Sequence, residues 1–259
     1  MGKINQLSFD TQGVGRPVIF LHGFLASSKM WADLLLPDNH KAIFIDLPGH
    51  GKSNAEDTLC DTMEEMAAAV SEVADHLGLK SFDVIGHSMG GYVALALKTM
   101  DKRCSKVMLM NSSFWEDSPA KKIDRIRVAN IVKTNHRHFI YEVIPRLFID
   151  PEINDLHVKE LIKDALKMTP IGVVSSSIAM SKRINQKHLL IECPQEFTIL
   201  QGDQDPIVNV DQMINALGHT AIKLVLMKDV GHMAHIESPS ALEGFVKKFL
   251  VPVVVENPN

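Results

Sequence analysis

Over the first 110 residues the apolar positions fall into two alternating patterns. Short runs recur at Val18–Leu21, Ala42–Leu47, Ser81–Ile85 and Lys106–Met110, each bounded by Gly, Pro, Asp, Asn or Ser, and these predict buried strands. Lys3–Asp10 alternates weakly and predicts a first edge strand, turning at Thr11–Arg16. Between the runs, apolar residues take helical spacing. Met30, Trp31, Leu34 and Leu35 predict a short helix with Ser27 or Ser28 as its cap and Pro37 closing it. Asp61 or Thr62 is placed to cap a helix to about Leu77, with Glu64 and Glu65 in its first turn and Gly78 past its end. Gly90–Met100 carries Tyr92, Val93, Leu95, Ala96 and Leu97 and predicts a buried helix. Strands alternating with helices in this order are how a parallel, doubly wound sheet is written.

The rhythm then breaks. From Phe114 to His188 only helical patterns are present. Phe139, Ile140, Val143, Ile144, Leu147 and Phe148 form one stripe, which Pro145 must bend or end. Val158, Leu161, Ile162, Ala165 and Leu166 form a second, and Thr169-Pro170 opens a third with Val174 and Ile178. Strand patterns resume at Glu196–Leu200 and Ile222–Met227, with a helix near Val210–Leu217 between them and another from Ser240 to about Leu250. The expectation is an α/β core, residues 1–113 and 189–259, interrupted by a helical insertion over residues 114–188.

Composition adds limits. A chain of 259 residues with 46% apolar and 22% charged residues can bury a sizeable core. Its net charge of −4 gives no global attraction to nucleic acid or to an anionic membrane. Cys60, Cys104 and Cys193 are odd in number and lack C-x-x-C spacing, which argues against a disulfide framework or zinc site and for a reducing compartment. The first twenty residues lack a basic stretch followed by an apolar one, so no secretory leader is expected. Met1-Gly2 is followed by Gln6 where myristoylation wants Ser or Thr. No apolar run reaches the roughly 18 residues of a membrane helix, and the tail Val251–Val255 is too short. The expected location is the cytoplasm, with no membrane or nucleic-acid partner and an open oligomeric state.

Chemistry concentrates at Asp83–Gly91. Gly86-His87-Ser88-Met89-Gly90 is a G-x-S-x-G pentapeptide lying where a strand meets a helix. In that setting the turn is sharp enough to strain the serine and expose its hydroxyl above the sheet edge, while the glycines let neighbouring backbones pass. Ser88 is the candidate nucleophile. A serine hydroxyl needs a base within hydrogen-bond reach, itself oriented by an acid. Gly202-Asp203-Gln204-Asp205 follows the strand Glu196–Leu200, and Gly231-His232-Met233-Ala234-His235 follows the strand Ile222–Met227. Both loops are expected at the carboxyl edge of the sheet, where ligands bind in such folds. Asp203 competes with Asp205 and His235 with His232; the Gly-His pair favours His232. His22 and His50, in glycine-bearing loops, are expected to be structural. His136 and His138 stand two apart, wrong for one helix face, so no metal is expected there and no cofactor is called for.

The chain resembles the α/β-hydrolase fold family, in particular its small capped esterase-like members. The resemblance is carried in order by His22-Gly23-Phe24, Asp46-Leu47-Pro48-Gly49-His50-Gly51-Lys52-Ser53, Gly86-His87-Ser88-Met89-Gly90-Gly91, Gly202-Asp203-Gln204-Asp205 and Gly231-His232. It implies an α/β-hydrolase fold, with a mostly parallel sheet flanked by helices and a helical cap inserted after the strand ending near Met110. It also implies a Ser88–His232–Asp205 triad, the family pattern G-x-x-D selecting Asp205, and an oxyanion hole from the backbone N–H groups of Phe24 and Met89. The implied activity is that of a carboxylesterase-like serine hydrolase acting on a small-molecule acyl substrate, an ester or related carbonyl compound, through an acyl-enzyme. Haloalkane dehalogenases and epoxide hydrolases of this fold use aspartate where this chain has Ser88, which argues against those activities. Two alternatives share the same residues: hydrolysis of a C–C bond in a β-diketone-like acid, and a ligand-binding or signalling role without turnover. Within Pro119–Arg146, Lys121, Lys122, Arg125, Arg127, Lys133, Arg137 and Arg146 face only Asp124 and Glu142. That imbalance reads either as solvated helix faces or as attraction for a carboxylate- or phosphate-bearing substrate.

Overall fold

Successive side chains of a strand point to opposite faces. Ile19 and Leu21 face one way, Val18 and Phe20 the other, and all four are completely buried. A strand dry on both faces belongs inside a sheet covered on both sides. In the computed structural model, which describes residues 2–4, 7–54 and 59–251, this strand is β3 (Arg16–Leu21). It lies between β4 (His40–Ile45) and β5 (Phe82–His87), parallel to both. Beyond β5 the sheet continues in parallel through β6 (Cys104–Met110), β7 (Phe197–Gly202) and β8 (Lys223–Met227). On the other edge β2 (Leu7–Gly13) runs antiparallel to β4, and β1 (Gly2–Ile4) antiparallel to β2. The order of the eight strands is β1-β2-β4-β3-β5-β6-β7-β8.

The edge strand expected over Lys3–Asp10 is therefore two strands. Its second half runs past the expected turn because Thr11, Gln12 and Gly13 pair with Ile43, Ala42 and Lys41. Asn5 and Gln6 lie outside the described residues, as does the tail Val251–Val255 after its first residue.

Two helices cover one face of the sheet. Of the two caps expected for α1 (Met63–His76), Thr62 rather than Asp61 serves, its Oγ1 accepting from the Glu65 N–H at 3.1 Å. Met66, Val70 and Val73 of α1, with α2 (Met89–Met100), pack over Ile19, Leu21, Ile43, Ile45, Val84 and Leu109. On the opposite face Trp31 packs with Val18, Phe20, Phe44, Ile85 and Met108. The helix expected from Ser27 or Ser28 to Leu35 is only a 3-10 turn, Ser28–Trp31. Neither serine caps it by its side chain; instead the Ser28 N–H donates to Asp46 Oδ1 at 2.8 Å. The Trp31 ring stacks 5.3 Å from Phe20. Tertiary contacts hold this segment in a turn that local propensity alone would have lengthened.

Between β6 and β7 the chain is helical, with no strand over residues 114–188. α3 (Pro119–Val143) is bent at Asn135, where φ is −145° and ψ 52°. Only its second half shows an apolar stripe; the first half exposes Ile123 and Ile126, and its polar sequence concealed the helix. Pro145 ends the α-helix, and a 3-10 turn, Pro145–Leu147, follows. Next come α4 (Asp155–Ala165), α5 (Pro170–Lys182) and α6 (Lys187–Glu192), which runs across the expected boundary at residue 188. Thr169 caps α5, its Oγ1 accepting from the Gly172 N–H at 3.1 Å. A third apolar cluster joins Val132, Ile140, Ile162 and Val173 of this segment to Leu25 and Met233, which come from loops of the sheet. The insertion thus sits on the loops that follow β3 and β8. α7 (Val210–Leu217), α8 (Ala234–Glu237) and α9 (Pro239–Leu250) complete the chain, and Leu242, Val246 and Phe249 of α9 close the Trp31 face. No described helix is long and apolar enough to cross a membrane.

Candidate active site

Between the end of β5 and the start of α2 stands one residue, Ser88, at φ 51° and ψ −115°. An L-residue is strained there and persists only where its surroundings over-determine it. Here they do. The Ser88 N–H donates to the Met110 carbonyl at 3.0 Å, and its own carbonyl accepts from the Gly91 N–H at 3.0 Å and from Ser112 Oγ at 2.7 Å. A Cβ on Gly86 would lie 2.4 Å from the Gly90 carbonyl oxygen, and one on Gly90 2.3 Å from that of Leu21. Glycine is the residue those two close approaches allow. Among the described residues the other non-glycine positions with positive φ are Leu25, Asn111 and Asp229. All three lie in loops at the same carboxyl edge of the sheet, so backbone strain gathers around one place.

The sequence-predicted residues meet there. His232 Nε2 is 3.0 Å from Ser88 Oγ. His232 Nδ1 is 2.9 and 3.0 Å from the two oxygens of Asp205. Asp205 is buried and carries further donors: the Ile207 and Val208 N–H groups reach Oδ1 at 2.8 and 3.0 Å. Burial pushes its carboxyl up, but the His232 charge and these hydrogen bonds outweigh that and hold it at about 2. It is a carboxylate at any working pH. Asp203 is turned elsewhere, accepting the Val230 N–H at 3.4 Å. His235 lies on α8, its ring 5.8 Å from that of His87, and burial beside His232 pushes it down to about 3.

Two supporting residues had no assigned role in the sequence reading. Asn111 Nδ2 donates to Asp205 Oδ2 and to the Gly231 carbonyl, both at 2.9 Å. Gln201 Nε2 donates to Asp205 Oδ2 at 2.9 Å and to the Gly202 and Val208 carbonyls. The available signal was a fully buried amide at the end of each of two strands, polar residues that a core tolerates only when satisfied. His87 is a third. Its Nε2–H donates to the His232 carbonyl at 2.9 Å, and its ring packs 5.0 Å from the His232 ring. Burial, then the His232 charge, pushes its pKa well down, so it is a neutral brace.

Phe24 and Met89 flank the serine. Met89 opens α2, so its N–H is among those a helix leaves without an internal partner. The Phe24 loop approaches so closely that a Cβ on Gly23 would lie 2.7 Å from His87 Nδ1 and 3.3 Å from Ser88 Cβ. His22 and His50 tie this loop to the one after β4. His22 donates from Nδ1 to the Gly23 carbonyl and accepts the Leu47 N–H at Nε2. His50 donates to the Pro48 carbonyl and accepts the Leu25 N–H. Both rings are spent on backbone groups, and burial lowers the pKa of each.

Above Ser88 lies a cavity of about 180 Å³. Phe24, Leu25 and His232 form its floor, and Val128, Phe139, Ile144 and Leu161 of the helical insertion form its roof, with Arg125 in the wall. A larger open groove, about 760 Å³ between α4 and the start of α9, shares Leu25, Ala26 and Leu161 with it but does not reach the serine. Among the described residues no group of three or more His, Cys, Asp or Glu is arranged to hold a metal ion.

A mostly parallel sheet with helices on both faces, carrying at its carboxyl edge a strained serine hydrogen-bonded to a histidine that is in turn held by a buried carboxylate, defines a class of α/β hydrolytic folds. The chain belongs to the alpha/beta hydrolase family, whose family model matches residues 18–244. Among curated relatives it is 25% identical over 252 residues to the dihydrolipoyllysine-residue acetyltransferase component of the acetoin cleaving system of Cupriavidus necator. That match covers 92% of this chain but only 64% of that protein. It is 26% identical over 276 residues to the 2-hydroxy-6-oxononadienedioate/2-hydroxy-6-oxononatrienedioate hydrolase of Escherichia coli, covering 96% of this chain and 92% of that one. Among solved structures it superposes with a TM-score of 0.84 on a thermophilic esterase from Thermogutta terrifontis with malate bound, at 29% identity over 94% of this chain and 92% of the other.

Proposed function

We propose that this protein is a carboxylesterase-like serine hydrolase that cleaves a small ester or related carbonyl substrate through an acyl-enzyme on Ser88. The observation that carries the reading is the 3.0 Å contact between Ser88 Oγ and His232 Nε2, at a strained turn opening into an apolar cavity. His232 takes the serine proton as Oγ attacks the carbonyl carbon. Asp205 holds the imidazole with Nδ1 protonated and stabilises the imidazolium. The Phe24 and Met89 N–H groups receive the oxyanion, each such donor contributing about 2.7–4 kcal/mol to the barrier reduction. The imidazolium then gives its proton to the leaving alcohol, the tetrahedral intermediate collapses to the acyl-enzyme, and water repeats the cycle to release the acid. In this reading residues 114–188 act as a cap that roofs the serine and sizes the acyl pocket, and no cofactor takes part.

A second reading is hydrolysis of a C–C bond in a β-diketone-like acid with the same three residues. The E. coli relative, named for a dienedioate substrate, favours it. Hydrolysis of p-nitrophenyl esters across acyl lengths, with Ser88→Ala alongside and fluorophosphonate labelling, tests the first. Turnover lost in Ser88→Ala, with the label on Ser88, is the expected result. Labelling without ester turnover would move the assignment to the C–C substrate. No labelling would overturn the mechanism.

A further inference from the structure

The cavity wall is apolar apart from the reacting groups, the neutral His87 ring, Tyr92 and one cation, Arg125 of α3. Its Nε donates to Asp117 Oδ2 at 3.1 Å, and no hydrogen bond among the described residues engages Nη1 or Nη2. Asp117 has a fully buried side chain and serves a second guanidinium, with Arg183 Nη2 2.8 Å from Oδ1. Arg183 is itself committed. Nε donates to the Trp115 carbonyl, Nη1 to that of Met180, and its plane lies 4.1 Å over the Tyr92 ring. One carboxylate thus stands between two largely buried guanidiniums and can neutralise only one. Lys121, 3.9 Å from Asp117, is half exposed and left to solvent. A positive charge unmatched beside an apolar cavity is costly unless an anion meets it.

We infer that Arg125 is the binding site for a carboxylate on the substrate, so that the enzyme acts on esters of short acids carrying a second, ionised carboxyl group. The inference rests on the hydrolase reading above and adds the charge of its substrate. One unmatched positive charge is balanced by a monoanion, and the open Nη pair offers the parallel donors that a planar carboxylate accepts. The volume agrees. At about 180 Å³ the cavity is smaller than the roughly 300–1,000 Å³ of pockets for drug-sized ligands, which suits a few carbons between carbonyl and carboxylate. Val128 and Phe139 would cover those methylenes.

The test compares monomethyl glutarate with dimethyl glutarate, one carbon frame with and without the charge, by pH-stat in the full-length protein. The wild type is expected to favour the monoanion in kcat/KM. Arg125→Gln is expected to lower that preference at least tenfold and Arg125→Lys to restore part of it. Lys133→Gln, which removes the same charge from an exposed site on α3, should leave the preference unchanged. A purely structural role for Arg125 would weaken both esters together and leave the ratio where it was; that result overturns the inference. Calorimetric titration of Ser88→Ala with 5-oxohexanoate, the methyl ketone of the same frame, reads the subsite without turnover. Binding that falls at least tenfold in Ser88→Ala/Arg125→Gln supports it even if neither ester is cleaved, which would refute only the ester hydrolase. Binding absent, or indifferent to Arg125, refutes the subsite.

Discussion

Replacing Asp205 by Asn separates what the acid contributes as a charge from what it contributes as a shape. The side chains are nearly isosteric, but the amide has one acceptor oxygen where the carboxylate has two. Oδ2 now accepts from Asn111 Nδ2 and Gln201 Nε2, Oδ1 accepts from the Ile207 and Val208 N–H groups, and His232 Nδ1 bridges both. If the new NH2 takes the Oδ2 position it faces two side-chain amides. If it takes the Oδ1 position it faces two backbone donors that cannot turn. Either way two buried donors lose an acceptor, at about 1–3 kcal/mol each, so the variant should lose about 2–6 kcal/mol of stability. The first orientation is expected, because Asn111 and Gln201 can adjust. Catalysis should suffer more: without the carboxylate the imidazolium is unsupported, and the equivalent loss in other Ser-His-Asp enzymes is about 10⁴-fold in kcat. The assay is p-nitrophenyl acetate turnover beside a thermal melt, with Asp203→Asn as the control. Asp203 accepts one long bond from Val230 and should cost less than threefold in kcat. A kcat for Asp205→Asn within tenfold of wild type, or a larger loss in Asp203→Asn, would refute the assignment of the acid.

Stability should fall on acidification. The folded values of Asp205 and Asp101 are both about 2, below the usual carboxylate value near 3.9, so the unfolded chain binds more protons in the interval. Their contribution is complete above about pH 4 and is lost as pH drops towards 2, about 2 kcal/mol for Asp205 and less for the better-screened Asp101. Urea unfolding at successive pH values reads this, and a free energy constant from pH 5 to 2 would contradict it. Asn111→Ala removes a donor from both Asp205 and Gly231 and should lower kcat about 5- to 30-fold with KM little changed; an unaltered kcat would show that Gln201 alone secures the acid. Gly90→Ala drives a Cβ to 2.3 Å from the Leu21 carbonyl oxygen. It should cost at least 3 kcal/mol, the upper end of the usual overpacking range of about 1–3, visible as a lowered Tm or an insoluble product; a melt like wild type would mean that the elbow can shift.

The strands of the core were legible because a strand buried on both faces is written as an apolar run, as in Val18–Leu21 of β3 and Val107–Met110 of β6, with β5 interrupted only by Asp83 before Val84 and Ile85. The caps of α1 and α5 were legible because Thr62 and Thr169 satisfy their helices through bonds three residues away. The first half of α3 was not. It turns Val128, Ala129 and Val132 inward but leaves Ile123, Ile126 and Ile131 exposed, so its apolar residues do not gather into the one-sided stripe by which a helix announces itself. Met30–Leu35 misled in the opposite direction, since its apolar residues are spaced for a helix but Asp46 and Phe20 hold it as a turn.

By itself the sequence determined the fold family, the strained serine turn and the two loops that bear the acid and the histidine. These depend on local chemistry: glycines where backbones must pass, and loops at the ends of apolar runs. Only the tertiary structure decided that Asn111 and Gln201 secure the Asp205 carboxylate, and that Arg125 lines the cavity while sharing Asp117 with Arg183. Those relations join residues up to 94 positions apart in the chain, across strands that are neighbours in the sheet but not in sequence. Hydrogen bonds and ion pairs act over a few ångströms of space, so no pattern along the chain could have written them.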